Sequence, residues 1–187
     1  MRRIASLAAL PALLATTALA EPVTPAPVVA AERAFAVDGS AMGVKASFLK
    51  HSAPEAIVIQ PEPVNAHDNL AKAPNGKPDD PKLEWWPVFA AIAKSGDLGF
   101  TTGPYAVAGK RRGHYFTVWK KQLNGEWKWL FDGGTPSDPS GAPGPGGAVG
   151  FLKVADVPPM DSSEALAQVF AVEEALATVA LTDLKAG

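Results

Sequence analysis

The clearest pattern of apolar and polar positions lies in the middle of the chain, where three short runs alternate as β-strands do. Asn124-Gly125 separates the last two runs, and both residues tolerate the left-handed backbone of a type I′ hairpin turn. Ser95-Gly96-Asp97 offers another tight turn before the first run. The pattern predicts an antiparallel meander made of residues 98–107, 114–121 and 126–132.

The alternation also predicts which side chains share a face. The middle strand carries two sets on opposite faces, and these are His114, Phe116 and Val118, and Tyr115, Thr117 and Trp119. The last strand likewise separates an aromatic set from a mixed set, namely Trp127, Trp129 and Phe131, and Lys128, Leu130 and Asp132. We expect the aromatic set to pack inward and the mixed set to face outward.

Before the meander, apolar residues recur at three- and four-residue steps over residues 29–51, which predicts helix. Charged residues, including Glu32, lie off this apolar stripe, and Asp38-Gly39-Ser40 marks a bend, so we expect two helices. The stripe consists of Ala31, Phe35, Met42, Ala46 and Leu49.

Shorter signals connect these helices to the meander. Residues 56–60 are β-branched and bounded by proline, which predicts a strand, and Asn65 is a suitable N-cap for a short helix. Residues 73–82 are crowded with Pro, Gly, Asn and Asp and predict an exposed loop. Residues 83–94 resume strand character and should pair with residues 98–107.

The C-terminal part has a different character. Residues 133–150 are rich in Gly and Pro, which predicts a flexible linker. Asp161 and Glu164 then favour the start of an amphipathic helix. That helix needs a partner, either the sheet of its own domain or another subunit. A third reading is that residues 172–177 repeat residues 31–36, as if a second copy of the domain began and stopped.

The N-terminus has the three regions of a secretory signal peptide: Arg2 and Arg3, the apolar residues 4–14, and the small-residue pattern Ala18-Leu19-Ala20. A membrane anchor would need about 20 apolar residues without that pattern. We therefore predict cleavage after Ala20 and a periplasmic or secreted protein without membrane attachment. The predicted division is a signal peptide over residues 1–20, a Pro-rich linker over 21–28, a folded domain over 29–132, a linker over 133–160 and a helix over 161–187.

Composition excludes several classes of site. The chain has no cysteine, so neither disulfides nor thiolate metal sites are possible. A formal net charge of -2 and a pI near 5.9 provide no basic field for nucleic acid. His51, His67 and His114 lack the spacing of metal ligands, and no phosphate-loop, dinucleotide or nucleophile motif occurs. We expect no metal and no cofactor.

The order of two helices, a strand, a short helix and a meander resembles the nuclear-transport-factor-2-like (NTF2-like) superfamily and, within it, the SnoaL-like and DUF4440 group. The resemblance covers residues 29–132 and rests on Gly-Asp-Leu-Gly-Phe-Thr-Thr-Gly-Pro-Tyr at 96–105 and Thr-Val-Trp-Lys-Lys-Gln-Leu-Asn-Gly-Glu-Trp-Lys-Trp at 117–129. It implies an α+β cone, in which a curved antiparallel sheet wraps the helices around an apolar cavity. Members include ketosteroid isomerase, scytalone dehydratase, polyketide cyclases and non-catalytic binding domains, so the fold does not fix the function.

An isomerase of this kind would need a cavity carboxylate or His as base and a Tyr or a protonated acid facing an oxyanion. The candidate bases are His114 and Asp132, and the candidate donors are Tyr105 and Tyr115. Because neighbouring residues of a strand point to opposite faces, only one of His114 and Tyr115 can enter the cavity. Each candidate also has a structural reading: a solvated edge for His114, a strand end for Asp132 and wall positions for the tyrosines.

The candidate ligand-contacting residues are Trp85, Tyr105, Tyr115 and Trp119, although tryptophan in a small β-rich domain is more often core. The leading hypothesis is an exported domain that binds a small apolar or aromatic molecule in its cone and dimerises through its sheet, with catalysis left open. The alternative is an isomerase, dehydratase or cyclase that uses an Asp or His base with a Tyr donor. A third hypothesis is a structural module that docks to a partner through the C-terminal helix.

Overall fold

The computed structural model describes residues 22–77, 79–153, 158 and 160–186, with side chains in the last helix only as far as residue 180. The chain divides into two compact units, Met1–Val154 and Ala155–Gly187, and each is described by itself. The predicted signal peptide and its cleavage site lie outside the described residues.

Two helices form the first layer of the larger unit: α1 spans Ala26–Met42 and α2 spans Val44–His51. α1 begins inside the segment predicted to be an extended linker, because Pro27 occupies its first turn, where the missing N–H has no helical partner to lose. The break between the helices is at Gly43, with φ +85°, and not near Asp38-Gly39-Ser40 as predicted. Gly43 supplies a conformation that other residues rarely adopt.

The second layer is one mixed sheet. Its strands in the described residues are β1 (Ser52–Ile59), β2 (Pro63–Asn65), β3 (Leu83–Trp85), β4 (Phe89–Ile92), β5 (Leu98–Val107), β6 (Lys110–Lys121), β7 (Trp127–Pro136) and β8 (Gly150–Phe151). They lie in the order β2-β1-β7-β6-β5-β4-β8, and β3 also pairs with β5. The short helix α3 (Ala66–Lys72) follows β2, and the Asn65 side chain caps it by accepting a bond from the Asp68 backbone N–H at 3.1 Å.

The predicted meander β5-β6-β7 is present and antiparallel. The predicted strand over residues 83–94 is present as two pieces, β3 and β4, which pair with successive parts of β5. Pro87 lies between the pieces and has no N–H for the ladder, so pairing is interrupted there. β1 joins β7 in parallel, so the sheet is mixed and not purely antiparallel.

The sheet extends further along the chain than the sequence predicts. β7 does not end at Asp132 but continues to Pro136, because Gly133 and Gly134 pair with residues of β6. β8 then pairs in parallel with β4 at the edge of the sheet. The Gly- and Pro-rich stretch predicted as a linker therefore contributes strand residues at both of its ends.

The core lies between α1, α2 and the sheet, and Phe35 of α1 is at its centre. Its ring contacts Trp85 edge-on with centroids 4.8 Å apart and Phe48 of α2 at 4.7 Å. It also lies within 6.0 Å and 6.3 Å of the rings of Trp119 and Trp129, which are both fully buried. These contacts hold the helices against the concave face of a curved, unclosed sheet, and the α+β fold predicted from the NTF2-like resemblance is confirmed.

The smaller unit contains α4, which spans Ser162–Ala186. Asp161 stands before it, as predicted, and its carboxylate accepts a bond from the Ser163 backbone N–H at 2.9 Å. None of the helices among the described residues combines the length and the apolar character that crossing a membrane requires.

Candidate functional site

A pocket of about 130 Å³ opens on the concave side of the sheet in the larger unit. Aromatic and aliphatic side chains form most of its wall, and one carboxyl group enters it. Two glycines leave part of the wall without side chains. The lining residues are Phe48, Leu83, Trp85, Tyr105, Tyr115, Asp132, Gly133 and Gly134.

A β-bulge in β7 turns Asp132 into this pocket. Trp119 of β6 pairs with Trp129, but the next pair along is Val118 with Phe131, so one residue of β7 is left over between them. Such an extra residue reverses the faces of everything beyond it. Phe131 therefore lies on the outer face near Phe116, with ring centroids 6.4 Å apart. The prediction that Phe131 faces inward and Asp132 outward is wrong for this reason.

Asp132 is held in a setting that favours its neutral form. The Thr117 hydroxyl donates to its Oδ1 at 2.6 Å. Burial, together with the nearby charge of Glu32, raises the pKa of Asp132 to about 7, and the Thr117 hydrogen bond acts in the opposite direction. A carboxyl group with this pKa exchanges protons near neutral pH, which is the property of a general acid or base.

Tyr115 is another residue of the pocket wall that carries a polar group. Its hydroxyl is buried, and no described group forms a hydrogen bond of normal geometry with it, although the Thr101 side chain lies close enough to act on its pKa. Burial and the charges of Glu32 and Asp132 raise the pKa of the phenol, while the Thr101 side chain acts in the opposite direction, so the hydroxyl keeps its proton. A buried donor without an acceptor is uncommon and costs free energy. Trp129 has an unpartnered indole N–H as well, but it does not line the pocket.

Glu32 of α1 lies behind the pocket wall and is fully buried. Its carboxylate accepts bonds from the indole N–H groups of Trp85 at 2.6 Å and Trp119 at 2.9 Å. The Thr101 hydroxyl donates to it as well. Burial is the largest influence and raises the pKa of Glu32, although its hydrogen bonds act to lower it. Because Trp85 also lines the pocket, Glu32 fixes part of the pocket wall.

The sequence places Glu32 on the polar side of α1, and this prediction is wrong. The buried residues of α1 are Val28, Val29, Glu32, Phe35 and Gly39. Glu32 lies four residues after Val28 and three before Phe35, so helical spacing puts it between two core residues. An isolated carboxylate at that spacing was the available signal of a buried functional or structural group.

The candidate residues named from the sequence lie in different places. Tyr105, Tyr115, Asp132 and Trp85 meet at the pocket. Trp119 does not line it and instead lies fully buried behind it, bonded to Glu32.

His114 is outside the pocket on the opposite face of β6, and its Nδ1 lies 2.8 Å from the Ser137 hydroxyl. This agrees with the expectation that only one of His114 and Tyr115 enters the cavity.

The described residues contain no group of three or more His, Asp or Glu side chains that could hold a metal ion. What the pocket offers is a mostly apolar surface, the two tyrosines Tyr105 and Tyr115 in its wall, and one carboxyl group, that of Asp132. This arrangement can hold a small molecule with a polar atom, and it can move a proton at that atom or next to it.

No protein-family model and no curated protein matches this chain. Solved structures similar to it include a provisionally assigned ketosteroid isomerase from Shewanella frigidimarina, with 14% identity, 57% of this chain and 92% of that chain covered and a TM-score of 0.42. A conserved protein from Planctomyces limnophilus is 12% identical, with 60% of this chain and 96% of that chain covered and a TM-score of 0.44.

A provisionally assigned aromatic ring hydroxylase from Novosphingobium aromaticivorans is 13% identical, with 59% of this chain and 92% of that chain covered and a TM-score of 0.41. Likenesses this distant carry no information on activity, so the function has to be argued from the pocket itself.

Proposed function

We propose that this protein binds a small, uncharged and largely apolar molecule in the pocket, and that the molecule carries one hydrogen-bond acceptor such as a ketone oxygen. The observation that carries the proposal is the Tyr115 hydroxyl, which is buried in the pocket wall without a partner. A ligand acceptor that reached this hydroxyl would satisfy the donor and recover the cost of leaving it unpaired.

The size of the pocket limits the ligand. An apolar protein cavity of about 150 Å³ accommodates benzene, and this pocket is close to that volume at about 130 Å³. A single aromatic ring with a short polar substituent therefore fits, and a fused multi-ring molecule fits only in part. The ring would lie among Trp85, Tyr105 and Phe48.

Charge also limits the ligand. Asp132, with its pKa raised to about 7, is partly neutral at physiological pH and offers either a proton or an acceptor to a ligand. A carboxylate ligand would meet both Asp132 and, behind the wall, the buried Glu32, and like charges in a poorly solvated site repel. Neutral molecules are therefore favoured over anions.

Acetophenone, a single-ring ketone, is a suitable probe. We expect it to shift the backbone amide NMR signals of Gly133 and Gly134, which line the pocket. Gly134→Val should abolish these shifts at Gly133, because even the first carbon of a side chain would lie 3.3 Å from the Tyr105 ring.

Gly144→Val is the matched control, since a Cβ there would meet nothing within 4 Å, and it should bind acetophenone as the wild type does. Equal binding by the wild type and Gly134→Val would contradict the proposed site.

A second candidate function, catalysis of proton transfer, is favoured by one specific observation: Asp132 titrates near neutral pH next to a tyrosine donor. In such a reaction the Asp132 carboxylate takes a proton from the carbon next to a carbonyl group. The electron pair of that C–H bond moves into the enolate, whose oxygen accepts a hydrogen bond from Tyr115.

This function can be separated from binding. The methyl protons of acetophenone should exchange for deuterium faster in the presence of the protein, and Asp132→Asn should abolish the acceleration while acetophenone still binds. Binding without accelerated exchange would leave this protein as a binding module.

Export and self-association complete the proposal. Export rests on the N-terminal sequence, and mass spectrometry of the protein from its own cells should find a chain that begins at Glu21. A homodimer formed through the sheet would elute at twice the monomer mass in size-exclusion chromatography with light scattering. Detection of the full-length chain would count against export. A monomer mass would count against the homodimer.

A further inference from the structure

The smaller unit contains one helix and no strand among its described residues, which are 158 and 160–186. That helix is α4, which spans 25 residues. A helix in a protein gains most of its stability from the packing of its apolar side chains. Within the described part of its own unit α4 has no other element to pack against, so the pattern of its apolar side chains indicates what partner it fits.

Five apolar residues of α4 follow one another in alternating steps of four and three residues. This set, called here the α4 seam, consists of Ala165, Val169, Val172, Leu176 and Val179. In a heptad repeat, Val169 and Leu176 take the a positions and the other three take the d positions. The four larger residues are 52–64% exposed, so the seam is a continuous apolar stripe in contact with solvent. Leu166 borders this stripe, and Phe170 lies outside it.

The spacing of the seam identifies the kind of partner. Steps that average 3.5 residues keep the side chains on one narrow stripe of the helix, and such a stripe packs into the matching stripe of a second helix. In the larger unit, α1 and α2 already pack Phe35 and Phe48 against each other at the core, and α3 has only seven residues. Among the described helices, the matching stripe is therefore that of α4 in a second copy of the chain.

Charges beside the seam favour one orientation of the two helices. In a parallel pair, the g position of one helix faces the following e position of the other, so Gln168 lies beside Glu173 of the second copy. This contact brings no like charges together, and the amide can donate to the carboxylate. In an antiparallel pair centred on the same seam, e positions face each other, and Glu173 would meet Glu173 of the second copy. Repulsion between these carboxylates disfavours the antiparallel pair.

We propose that two copies of this protein associate through α4, with the α4 seam of one copy packed in parallel against the α4 seam of the other. The association removes from water the apolar stripe that the free helix exposes, which is a favourable change. This surface is different from the sheet named in the proposed function, and the association does not depend on a ligand in the pocket.

A single cysteine in the seam reports directly on this pairing, because the chain has no cysteine of its own. In a parallel pair the two copies of residue 172 lie opposite each other at a d position. Oxidised glutathione should therefore link Val172→Cys into a covalent dimer, seen on a non-reducing gel. Thr178→Cys is the matched control, since Thr178 is also β-branched and exposed but lies at a c position, away from the seam. It should remain unlinked under the same conditions.

A covalent dimer from Val172→Cys alone is the expected result. Equal linkage of the two variants would show random collision, and no linkage of Val172→Cys would show that the seams do not meet. Either result would overturn the proposal.

Val172→Glu tests the association without a covalent bond. It places a carboxylate inside the seam opposite the same charge of the second copy, and we expect it to weaken self-association by roughly tenfold or more. Thr178→Glu adds the same charge outside the seam and should associate as the wild type does. Glutamate forms helix at least as well as valine, so the helix itself should persist, which far-ultraviolet circular dichroism checks.

Sedimentation equilibrium over a range of protein concentrations measures the dissociation constants. A wild-type protein that stays monomeric, or equal constants for Val172→Glu and Thr178→Glu, would overturn the proposal, and in the second case the contact would lie elsewhere, such as at the sheet. None of these measurements uses a ligand. Failure of acetophenone to bind would therefore affect the proposed function and leave the pairing of α4 to be judged on its own data.

Discussion

The pH dependence of folding stability should change when Asp132 is replaced by asparagine. Burial raises the pKa of Asp132 in the folded protein to about 7, from an ordinary pKa of 3.8 that is taken for the unfolded chain. Between these values the folded protein binds the proton more tightly than the unfolded chain does. The contribution of this group to stability is therefore complete below pH 3.8 and is lost as the pH rises through 7.

The magnitude follows from the difference of about 3 pKa units at about 1.4 kcal/mol for each unit, or roughly 4 kcal/mol as an upper limit. Asp132 keeps limited exposure at the pocket, so solvent screening reduces this, and we expect about 2 kcal/mol. Asparagine is nearly isosteric, can accept the same bond from Thr117 and carries no charge. Relative to the wild type, Asp132→Asn should therefore gain about 2 kcal/mol between pH 4 and pH 8.

Urea denaturation at pH 4, 6 and 8 measures this difference, with both proteins compared at each pH so that all other titrating groups cancel. Asp79→Asn is a matched control, because Asp79 lies exposed on the loop between α3 and β3, and it should show no such trend. The same difference in unfolding free energy at all three values, for Asp132→Asn, would refute the argument that the Asp132 carboxyl is held in its neutral form by burial.

Two further outcomes follow from packing and loop contacts. Gly39→Ala should destabilise the protein by about 1–3 kcal/mol, the usual cost of overpacking, since the new Cβ would lie 2.4 Å from the Trp85 ring. Thermal denaturation measures this loss of stability. Gly141→Ala is the control and should be neutral, because a Cβ there would meet nothing within 4 Å. Arg111→Met should speed amide hydrogen exchange in residues 140–148, because Arg111 donates to three loop carbonyls at 3.1, 2.6 and 3.5 Å. Unchanged exchange would show that other contacts hold the loop.

The sheet meander could be predicted from sequence because its signals are local. Alternation of apolar residues and the Asn124-Gly125 turn depend on a few neighbouring residues, and β5, β6 and β7 form where these signals lie. The cap at Asn65 is likewise a contact within one turn of helix. Nearby residues are therefore enough to predict such elements, without knowledge of the rest of the chain.

The site itself depends on features that have no local signal. The bulge in β7 arises from how the strand fits β6, and it reverses the direction of Asp132 although the alternation of residues 126–132 is regular. For Glu32 the helical spacing signals burial, but the three side chains that donate to it come from strands far along the chain and could not be predicted. The sequence names Asp132, Tyr105 and Tyr115 as candidates, but only the assembled sheet brings them to one pocket.

The same limit applies to β8. A pair of residues after a Gly- and Pro-rich stretch carries no strand signal of its own, and its pairing with β4 is decided by an open sheet edge far back in the chain. Arg111 and Trp86 add contacts that hold this stretch, through carbonyl groups that any sequence would provide.

A role of the Tyr115 hydroxyl in ligand binding is tested most directly by the effect of Tyr115→Phe on stability and on binding of acetophenone, measured on the same samples. If the unpartnered hydroxyl is kept for a ligand, removing it should stabilise the free protein by about 1 kcal/mol or more, since a buried unsatisfied group is lost. It should also weaken acetophenone binding by roughly tenfold, the loss of one hydrogen bond of about 1.4 kcal/mol. A less stable free protein with unchanged acetophenone binding would contradict the proposed binding role, because the hydroxyl would then serve the fold and not a ligand.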